Sequence, residues 1–464
     1  MAAPPTALSY AYLTASQIEA SLRALATSKP QLCQVLELAP THEGRRAVVL
    51  RIRHPSAPSN AIPILFTAGL HAREWAPPDI LVDFATRLVT AAGTAPDFIG
   101  DSVSYRPFAK WQLTNAPHSP FARRKNTSLP IVQYKAVHVP RDAVRRILSK
   151  LEIYIAPLIN VDGRVFSQSA PAGANPPVWM WRKNRKPTGG ACAPVLGLDP
   201  GVGTDINRNF DFAWDASQYY HPDSLARDDI SFSTDPCDFQ VYRGPSAASE
   251  IETQNVVGLM RDRKIQLYVD IHSHAHAIYH WWGTAQSGRD ASQSFVNRSK
   301  DRKRYAYDAS KYTEFLPPPG PARPGDDTFK LVAQTMKQSM VDAVDSARAT
   351  LAGGRPRGSD SAFASKYEVG PASIDYAATG TAPDYFNSLQ FTSDPGGNAI
   401  ALSPARFAYT IECGSREEGA FWPERNNELP KISREVHAAL WYLLSYAATP
   451  FGGAATWPIV PGTP

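Results

Sequence analysis

Short apolar runs alternating with stretches of helical periodicity restrict this chain more than any other feature of its sequence. Ala47–Ile52 and Ala61–Ala68 are apolar runs bounded by His, Pro, Ser, Asn and Gly, and read as two strands separated by a turn. Pro78–Thr90 follows with Ile80, Leu81, Phe84 and Leu88 on one helical face. The alternation recurs. Leu151–Leu158 is an apolar run, Ser249–Asp262 reads as a helix, Ile265–Ile271 as a buried strand, Arg406–Ile411 as another strand and Ile432–Ala447 as a long helix. Ala15–Ala26, with Ile18, Leu22 and Leu25 in helical spacing, is expected to be a surface helix capped by Ser16. Such a pattern predicts an α/β layer fold with a mixed or largely parallel central sheet covered by helices.

Three stretches break the pattern: Asp97–Pro140, Ser167–Gly203 and Ala291–Ser365. The last carries Pro317-Pro318-Pro319-Gly320 and Gly353-Gly354-Arg355-Pro356, so it reads as loops around a helix at Phe329–Ala347. None has the character of an interdomain linker. The 464 residues, 43% hydrophobic and 20% charged, are therefore expected to form one domain over 1–464. Its core runs from about Tyr12 to Tyr446, and an extended tail occupies 447–464, weakly ordered over Pro450–Pro464.

The formal net charge of +5 is divided between 48 basic and 43 acidic residues, which argues against a dedicated nucleic-acid binder. Arg123-Arg124-Lys125 and Arg302-Lys303-Arg304 lack the interleaved aromatic residues that stack bases and read as solvated loop charge. No stretch approaches the roughly 18 apolar residues that span a bilayer, and Met1–Tyr10 lacks a basic region followed by an apolar one, so neither a membrane span nor an export signal is expected. Four cysteines in so long a chain cannot be a disulfide framework. Cys192 and Cys237 flank one irregular segment and can pair, whereas Cys33 and Cys413 adjoin apolar residues and read as buried thiols.

The residues capable of chemistry sit where predicted strands end. Phe66-Thr-Ala-Gly-Leu-His71-Ala-Arg73-Glu74-Trp75 places a histidine and a glutamate three apart, between a strand and a helix. In open α/β sheets, sites gather beyond the carboxyl ends of strands, and such a pair can offer one nitrogen and one oxygen to a metal. Four-residue matches of this kind also occur by chance in surface loops. A second strand end, Tyr268-Val-Asp-Ile-His272-Ser-His274-Ala-His276, presents histidines at period two. Any of His272, His274 or His276 can complete a set of two histidines and one carboxylate, and spacing does not choose among them; the alternative is a polar strand extension with hydrogen-bonded histidines. A third, Tyr409-Thr410-Ile411-Glu412, ends in a carboxylate whose desolvation would raise its pKa and suit it to accept a proton, unless it only caps a loop. Asp205-Ile-Asn207-Arg208-Asn209-Phe210 and Trp181-Arg182-Lys183-Asn184-Arg185 supply guanidinium forks that match carboxylates and oxyanions.

In this order the segments resemble the funnelin family of metallocarboxypeptidases, peptidase M14, typified by carboxypeptidases A and B. The resemblance runs from about Tyr12 to Tyr446. It is carried by His71-Ala-Arg73-Glu74-Trp75, Asn160-Val-Asp162-Gly163, Trp181-Arg182-Lys183, Asn207-Arg208-Asn209-Phe210, Asp270-Ile-His272-Ser273, Ile374-Asp-Tyr376-Ala-Ala-Thr-Gly380 and Thr410-Ile-Glu412. It implies the three-layer fold of that family and a zinc-dependent exopeptidase that removes the C-terminal residue of peptides or proteins. By resemblance His71, Glu74 and His272 bind one zinc ion per chain. Glu412 is the general base for zinc-promoted water attack, and Arg182 stabilises the oxyanion. Arg73 orients the peptide, Asn207, Arg208 and Tyr376 grip the terminal carboxylate, and Phe421 is an apolar contact near the terminal side chain.

The terminal side-chain pocket falls, on the same resemblance, to Gly283, Pro383 and Thr410. No acidic residue stands where the B-type enzymes place one, so apolar or aromatic termini are expected, with Asp270 able to alter the preference if it reaches the pocket. His274 stands where many relatives carry tyrosine. The resemblance also pairs Cys192 with Cys237, which favours an extracellular, oxidising compartment; the missing export signal and pro-domain favour the cytoplasm instead. The irregular stretches read as insertions around the rim of the site. Expected partners are peptide or protein C-termini, with neither nucleic acid nor membrane, acting on a monomer. A catalytically silent peptide-binding relative, and an amidase acting on a non-peptide carboxylate substrate, are the competing expectations.

Overall fold

The structure, a computed structural model, describes residues 12–92, 103–105, 137–139, 141–169, 178–195, 197–227, 230–317, 326–345, 366–374, 376–402, 406–423 and 428–448. The Arg123 cluster, the tail from Pro450 and most of the stretch Asp97–Pro140 lie outside the described residues.

Eight strands form the central sheet: β1 (Cys33–Glu37), β2 (Val48–Arg53), β3 (Ile62–Ala68), β4 (Leu151–Ala156), β5 (Leu267–His272), β6 (Ala277–His280), β7 (Glu368–Pro371) and β8 (Phe407–Glu412). Their spatial order is β1-β2-β4-β3-β5-β8-β6-β7. The four middle strands, β4, β3, β5 and β8, run parallel; β2 and β6 are antiparallel to their inner neighbours. Strands that are buried on both faces read as continuous apolar runs, which is why Ile62–Ala68 and Leu267–His272 were legible. The two early strands β2 and β3, adjacent in sequence, are separated in the sheet by β4.

Alternation along the strands assigns the two faces. Phe66 packs edge-on against Phe84 of helix α2 (Ala76–Ala91), and Tyr409 lies 6.3 Å from Phe329 of the helix at Asp326–Asp345. That face is completed by the terminal helix Glu428–Ala447, whose His437 ring meets the Ile80 carbonyl at 3.0 Å. The opposite face carries Thr67, Tyr268 and Asp270, joined by hydrogen bonds of 2.8 and 2.7 Å, with Phe386 of the short helix Ala382–Ser388 against Tyr268. Asp270 pairs with Thr410 in register, and two residues further His272 pairs with Glu412. All four side chains therefore belong to the same face, because strand side chains repeat every second residue.

Three local readings are corrected. The cap of the first helix, α1 (Ala15–Ser28), is Thr14, which forms a capping box with Gln17; Ser16 lies inside the helix. Arg304 is fully buried, with carbonyls of Ser294 and Asn297 on its guanidinium, so it is not solvated loop charge, although Arg302 and Lys303 are exposed. The histidine strand stops at His272, so period two does not extend to His274 and His276. Cys192 and Cys237 form a disulfide, and Cys33 and Cys413 are buried free thiols, as expected. No helix among the described residues is long and apolar enough to cross a membrane.

Two positions fix how the chain leaves its strands. Gly69, after β3, has φ +65°, and a Cβ there would sit 2.8 Å from the Leu158 side chain, so only glycine makes this turn. Asn160, after β4, is fully buried; its Oδ1 accepts the Gly163 N–H at 2.9 Å, while Nδ2 donates to the carbonyls of Leu70 and Lys183 at 3.0 Å. One amide thus caps a helix and ties the loop before His71 to the loop after Arg182. Removing it strands three buried backbone groups. Asn160→Ala is expected to lower stability by about 2–4 kcal/mol, read as a shift in urea unfolding midpoint; a loss under 0.5 kcal/mol, within the ordinary range for an exposed site, would contradict this role.

Candidate active site

His71 lies in the loop between β3 and α2, Glu74 just before the first turn of that helix, and His272 at the end of β5. The structure brings the three together, fully enclosed: their ligand atoms lie within 4.8 Å of one another. His71 Nδ1 is 2.6 Å from Glu74 Oε1, His272 Nδ1 is 3.0 Å from Glu74 Oε2, and the two Nδ1 atoms are 3.0 Å apart.

The far nitrogens explain what this cluster wants. His71 Nε2 lies 3.2 Å from Asp205 Oδ1 and His272 Nε2 lies 2.7 Å from Asp270 Oδ2. An imidazole whose Nε2 proton serves a carboxylate presents a bare lone pair at Nδ1. Two nitrogens and a carboxylate then face one another at hydrogen-bond distance, an arrangement that needs positive charge among them, from a proton or from a metal cation. Two imidazoles and one carboxylate are a donor set suited to zinc with a position left open. Burial would push the Glu74 carboxyl up, but the His71 and His272 imidazoles outweigh it and hold it well below the usual carboxylate range. Burial would likewise lower the His272 imidazole, yet Asp270 and Glu74 raise it well above its ordinary value.

The other histidines go elsewhere. His274 packs against Phe421, with ring centroids 4.8 Å apart, and His276 meets Glu418 at 2.6 Å. Asp270 is engaged by His272 and Thr67, which corrects the expectation that it might turn toward a side-chain pocket.

Glu412 shares the register of His272 across the β5–β8 ladder and accepts no hydrogen bond from any described residue. Burial, reinforced by Glu74 and Asp270 and opposed by His272 and Arg182, pushes its carboxyl up to about 7. Arg182 donates from Nε and Nη2 to Asp205 Oδ2 at 3.0 and 2.9 Å. Burial opposes the charge on Asp205, but Arg182 and His71 hold its carboxyl well below the usual range. Arg73 donates to Gln240 at 2.6 Å and lies over the Phe421 ring at 4.6 Å. His71, Arg182 and Asn207 are thereby referred to one buried carboxylate, since the Asn207 N–H also donates to Asp205, at 3.0 Å.

A second group assembles beside it. Asn207 Oδ1 accepts the Ala382 N–H at 2.9 Å, leaving its Nδ2 hydrogens as donors. Arg208 is buried; Nε donates to the Ser231 carbonyl at 2.6 Å, Nη2 to Ser231 Oγ at 2.9 Å and Nη1 to the Asn207 carbonyl at 2.8 Å, so each terminal nitrogen keeps one further N–H. Its guanidinium lies 5.9 Å from the ring of Tyr376, which is 45% exposed. Gly283 donates to both oxygens of Asp384, at 3.1 and 2.9 Å, and Pro383 precedes that residue; Thr410 stands on β8 opposite Tyr279. Burial pushes the Asp384 carboxyl up to about 7.

The sequence reading did not assign Asp205 and Asp270 as partners of the histidines, nor Ser231 and Asp384. The Asp270-Ile-His272 spacing was a usable signal, since residues two apart on a strand share a face. The others depend on distant loops and carried none.

The profile of peptidase M14, described as zinc carboxypeptidase, matches residues 18–99 and 132–439. Human carboxypeptidase B is 26% identical over 264 residues, covering 56% of this chain and 45% of its own length. Rat mast cell carboxypeptidase A is 26% identical over 258 residues, covering 55% and 43%. The chain thus matches less than half the length of these two relatives. The solved structure of thrombin activatable fibrinolysis inhibitor superposes with a TM-score of 0.59 at 17% identity, over 94% of this chain and 74% of the other. Carboxypeptidase A of Helicoverpa armigera gives 0.54 at 18%, over 94% and 73%. Those likenesses fix the fold, and the profile match, running from the first helix to the last, places the chain in the zinc carboxypeptidase family.

Proposed function

We propose that the chain is an exopeptidase that removes apolar or aromatic C-terminal residues from peptides, using one zinc ion held by His71, Glu74 and His272. The observation that carries the reading is the pairing of Glu412 with His272 across the sheet: an unengaged carboxylate with its pKa near neutrality, beside a donor set that calls for a cation. Zinc in such a set supplies Lewis acidity, polarising the scissile carbonyl and acidifying water near neutral pH. Glu412 takes the proton from the attacking water and returns it to the leaving amine. Arg182, fixed by Asp205, offers charge to the carbonyl oxygen as it becomes negative. Asn207, Arg208 and Tyr376 grip the terminal carboxylate, which restricts cleavage to chain ends, and Arg73 and Phe421 flank the preceding residue.

Gly283, Pro383 and Thr410 line the terminal side-chain pocket. The Gly283 N–H is shared between the two oxygens of Asp384, and burial pushes that carboxyl up to about 7, so it carries less charge to offer a basic terminus, which supports an apolar preference. The Cys192–Cys237 bridge favours an oxidising compartment.

Blocked dipeptides ending in Phe, Leu, Arg or Glu, assayed with metal analysis and with and without a chelator, test this directly. About one zinc per chain and chelator-sensitive cleavage of the Phe or Leu substrate are expected. Faster cleavage of the Arg substrate would overturn the pocket assignment.

Glu412→Gln should retain zinc and lose turnover by about a hundredfold or more. The base acts only when ionised, so kcat/KM in the native protein should fall as pH drops through an ionisation at or below about 7, since a nearby cation lowers a carboxyl pKa. That acid limb should vanish in Glu412→Gln; an unchanged profile and rate would reject the mechanism.

A further inference from the structure

The irregular segments 214–233 and 284–316 fold onto each other beside the proposed carboxylate grip. Glu314 is their meeting point: its Oε2 accepts the hydroxyls of Tyr219 and Tyr312 at 2.6 and 2.7 Å, and its Oε1 the Phe295 N–H at 2.9 Å. Arg304 seals the same contact, stacking on Tyr219 at 4.2 Å and giving its carbonyl to the His221 N–H at 2.8 Å. Around them a satellite apolar core forms from Ala216, Tyr219, Tyr220, Ile230, Ala306 and Ala377. Its last member does not come from either segment. Ala377 follows Tyr376 in the chain.

Two links carry this body to the site. Ile230–Ser231 pairs in parallel with Ala377–Ala378, and Ser231 is the residue that holds Arg208. The Ala377 N–H donates to the hydroxyl of Tyr307, in the middle of the 284–316 segment. That N–H belongs to the peptide plane joining Tyr376 to Ala377, so the Tyr307 hydroxyl governs the backbone orientation of Tyr376 directly.

We propose that Tyr307 is a positioning residue for the substrate's terminal carboxylate, its hydroxyl holding the peptide plane that follows Tyr376. The inference rests on the exopeptidase reading above and adds to it a residue from outside the matched motifs. Tyr307 is 37% exposed, so removing its hydroxyl opens no cavity and leaves the satellite core intact. Its loss acts on ground-state binding of the carboxylate and leaves the bond-breaking groups in place.

The test compares the zinc-loaded full chain with Tyr307→Phe, Tyr376→Ala and the double variant. kcat and KM are measured on a blocked dipeptide ending in Phe, together with calorimetric binding of 3-phenylpropanoate, a terminal-carboxylate probe that undergoes no reaction. Tyr307→Phe should raise KM and the dissociation constant of the probe by about three- to tenfold, as loss of one hydrogen bond does. kcat should stay within about twofold and the thermal midpoint should be unchanged. In the Tyr376→Ala background the same substitution should change either constant by less than about twofold, because residues acting through one another are not additive. Unchanged binding in Tyr307→Phe, an equal rise in both backgrounds, or a fall in kcat with a lowered midpoint would each overturn the assignment of Tyr307. A native chain that neither cleaves the dipeptide nor binds the probe would instead reject the exopeptidase reading.

Discussion

Two imidazole nitrogens and a carboxylate buried about 3 Å apart repel one another unless positive charge lies between them. That constraint organises the rest of the molecule. The repulsion is tolerated because each participant is anchored by something rigid: His272 by the end of a central strand, Glu74 by the start of a helix, His71 by a turn that admits only glycine at position 69. His272 is then oriented by a hydrogen bond to the buried Asp270 carboxylate, and His71 Nε2 faces the buried Asp205 carboxylate at 3.2 Å. Without a metal cation the positive charge has to come from a proton, which Asp270 and Glu74 hold on His272, and packing has to offset the cost of burying these groups. The enclosing sheet, buried on both faces, is the element able to do so.

Asp205 connects functions that are otherwise separate. It faces His71 Nε2 at 3.2 Å, accepts from Arg182 Nε and Nη2 and accepts the N–H of Asn207, so the proposed metal set, oxyanion charge and carboxylate grip share one reference point. Arg208 and Tyr376 take their positions from another source, the body formed by segments 214–233 and 284–316. His272 and Glu412 are thus tied to the sheet, Arg182 to the loop carrying Asp205, and Arg208 and Tyr376 to the rim.

The strongly apolar strands and the amphipathic helices were legible because periodicity and burial leave a direct imprint on residue order. Strand β1, Cys33–Glu37, was missed: only Cys33 is buried, Val35 and Leu36 are half-buried in succession, and so short an edge strand does not stand out from a loop. Strand β6, Ala277–His280, follows directly on His272, His274 and His276, which read as candidate ligands, and so short a run did not stand out as sheet. The triad itself was legible as motifs at strand ends, but the choice of His272 over His274 and His276 needed the resemblance, because it turns on where the strand stops. Long-range partners such as Ser231 for Arg208 leave no local trace, since nothing in the spacing of either residue depends on the other. The cap was misread for a simpler reason. Thr14 with Gln17 and Ser16 with Glu19 both fit a capping box, so the sequence does not choose between them, and the helix starts early enough that Thr14 takes the role.

The Cys192–Cys237 bridge closes a loop with a sequence separation of 45 residues, and that loop contains Asp205, Asn207, Arg208 and Ser231. Covalent closure on this scale removes on the order of 4 kcal/mol of freedom from the unfolded chain. His71, Glu74, His272 and Glu412 all lie outside it. Thiol reduction would therefore fall unevenly on the molecule, slackening the lariat that carries Asp205 and its contacts to His71 and Arg182 while sparing the strands from which His272 and Glu412 project.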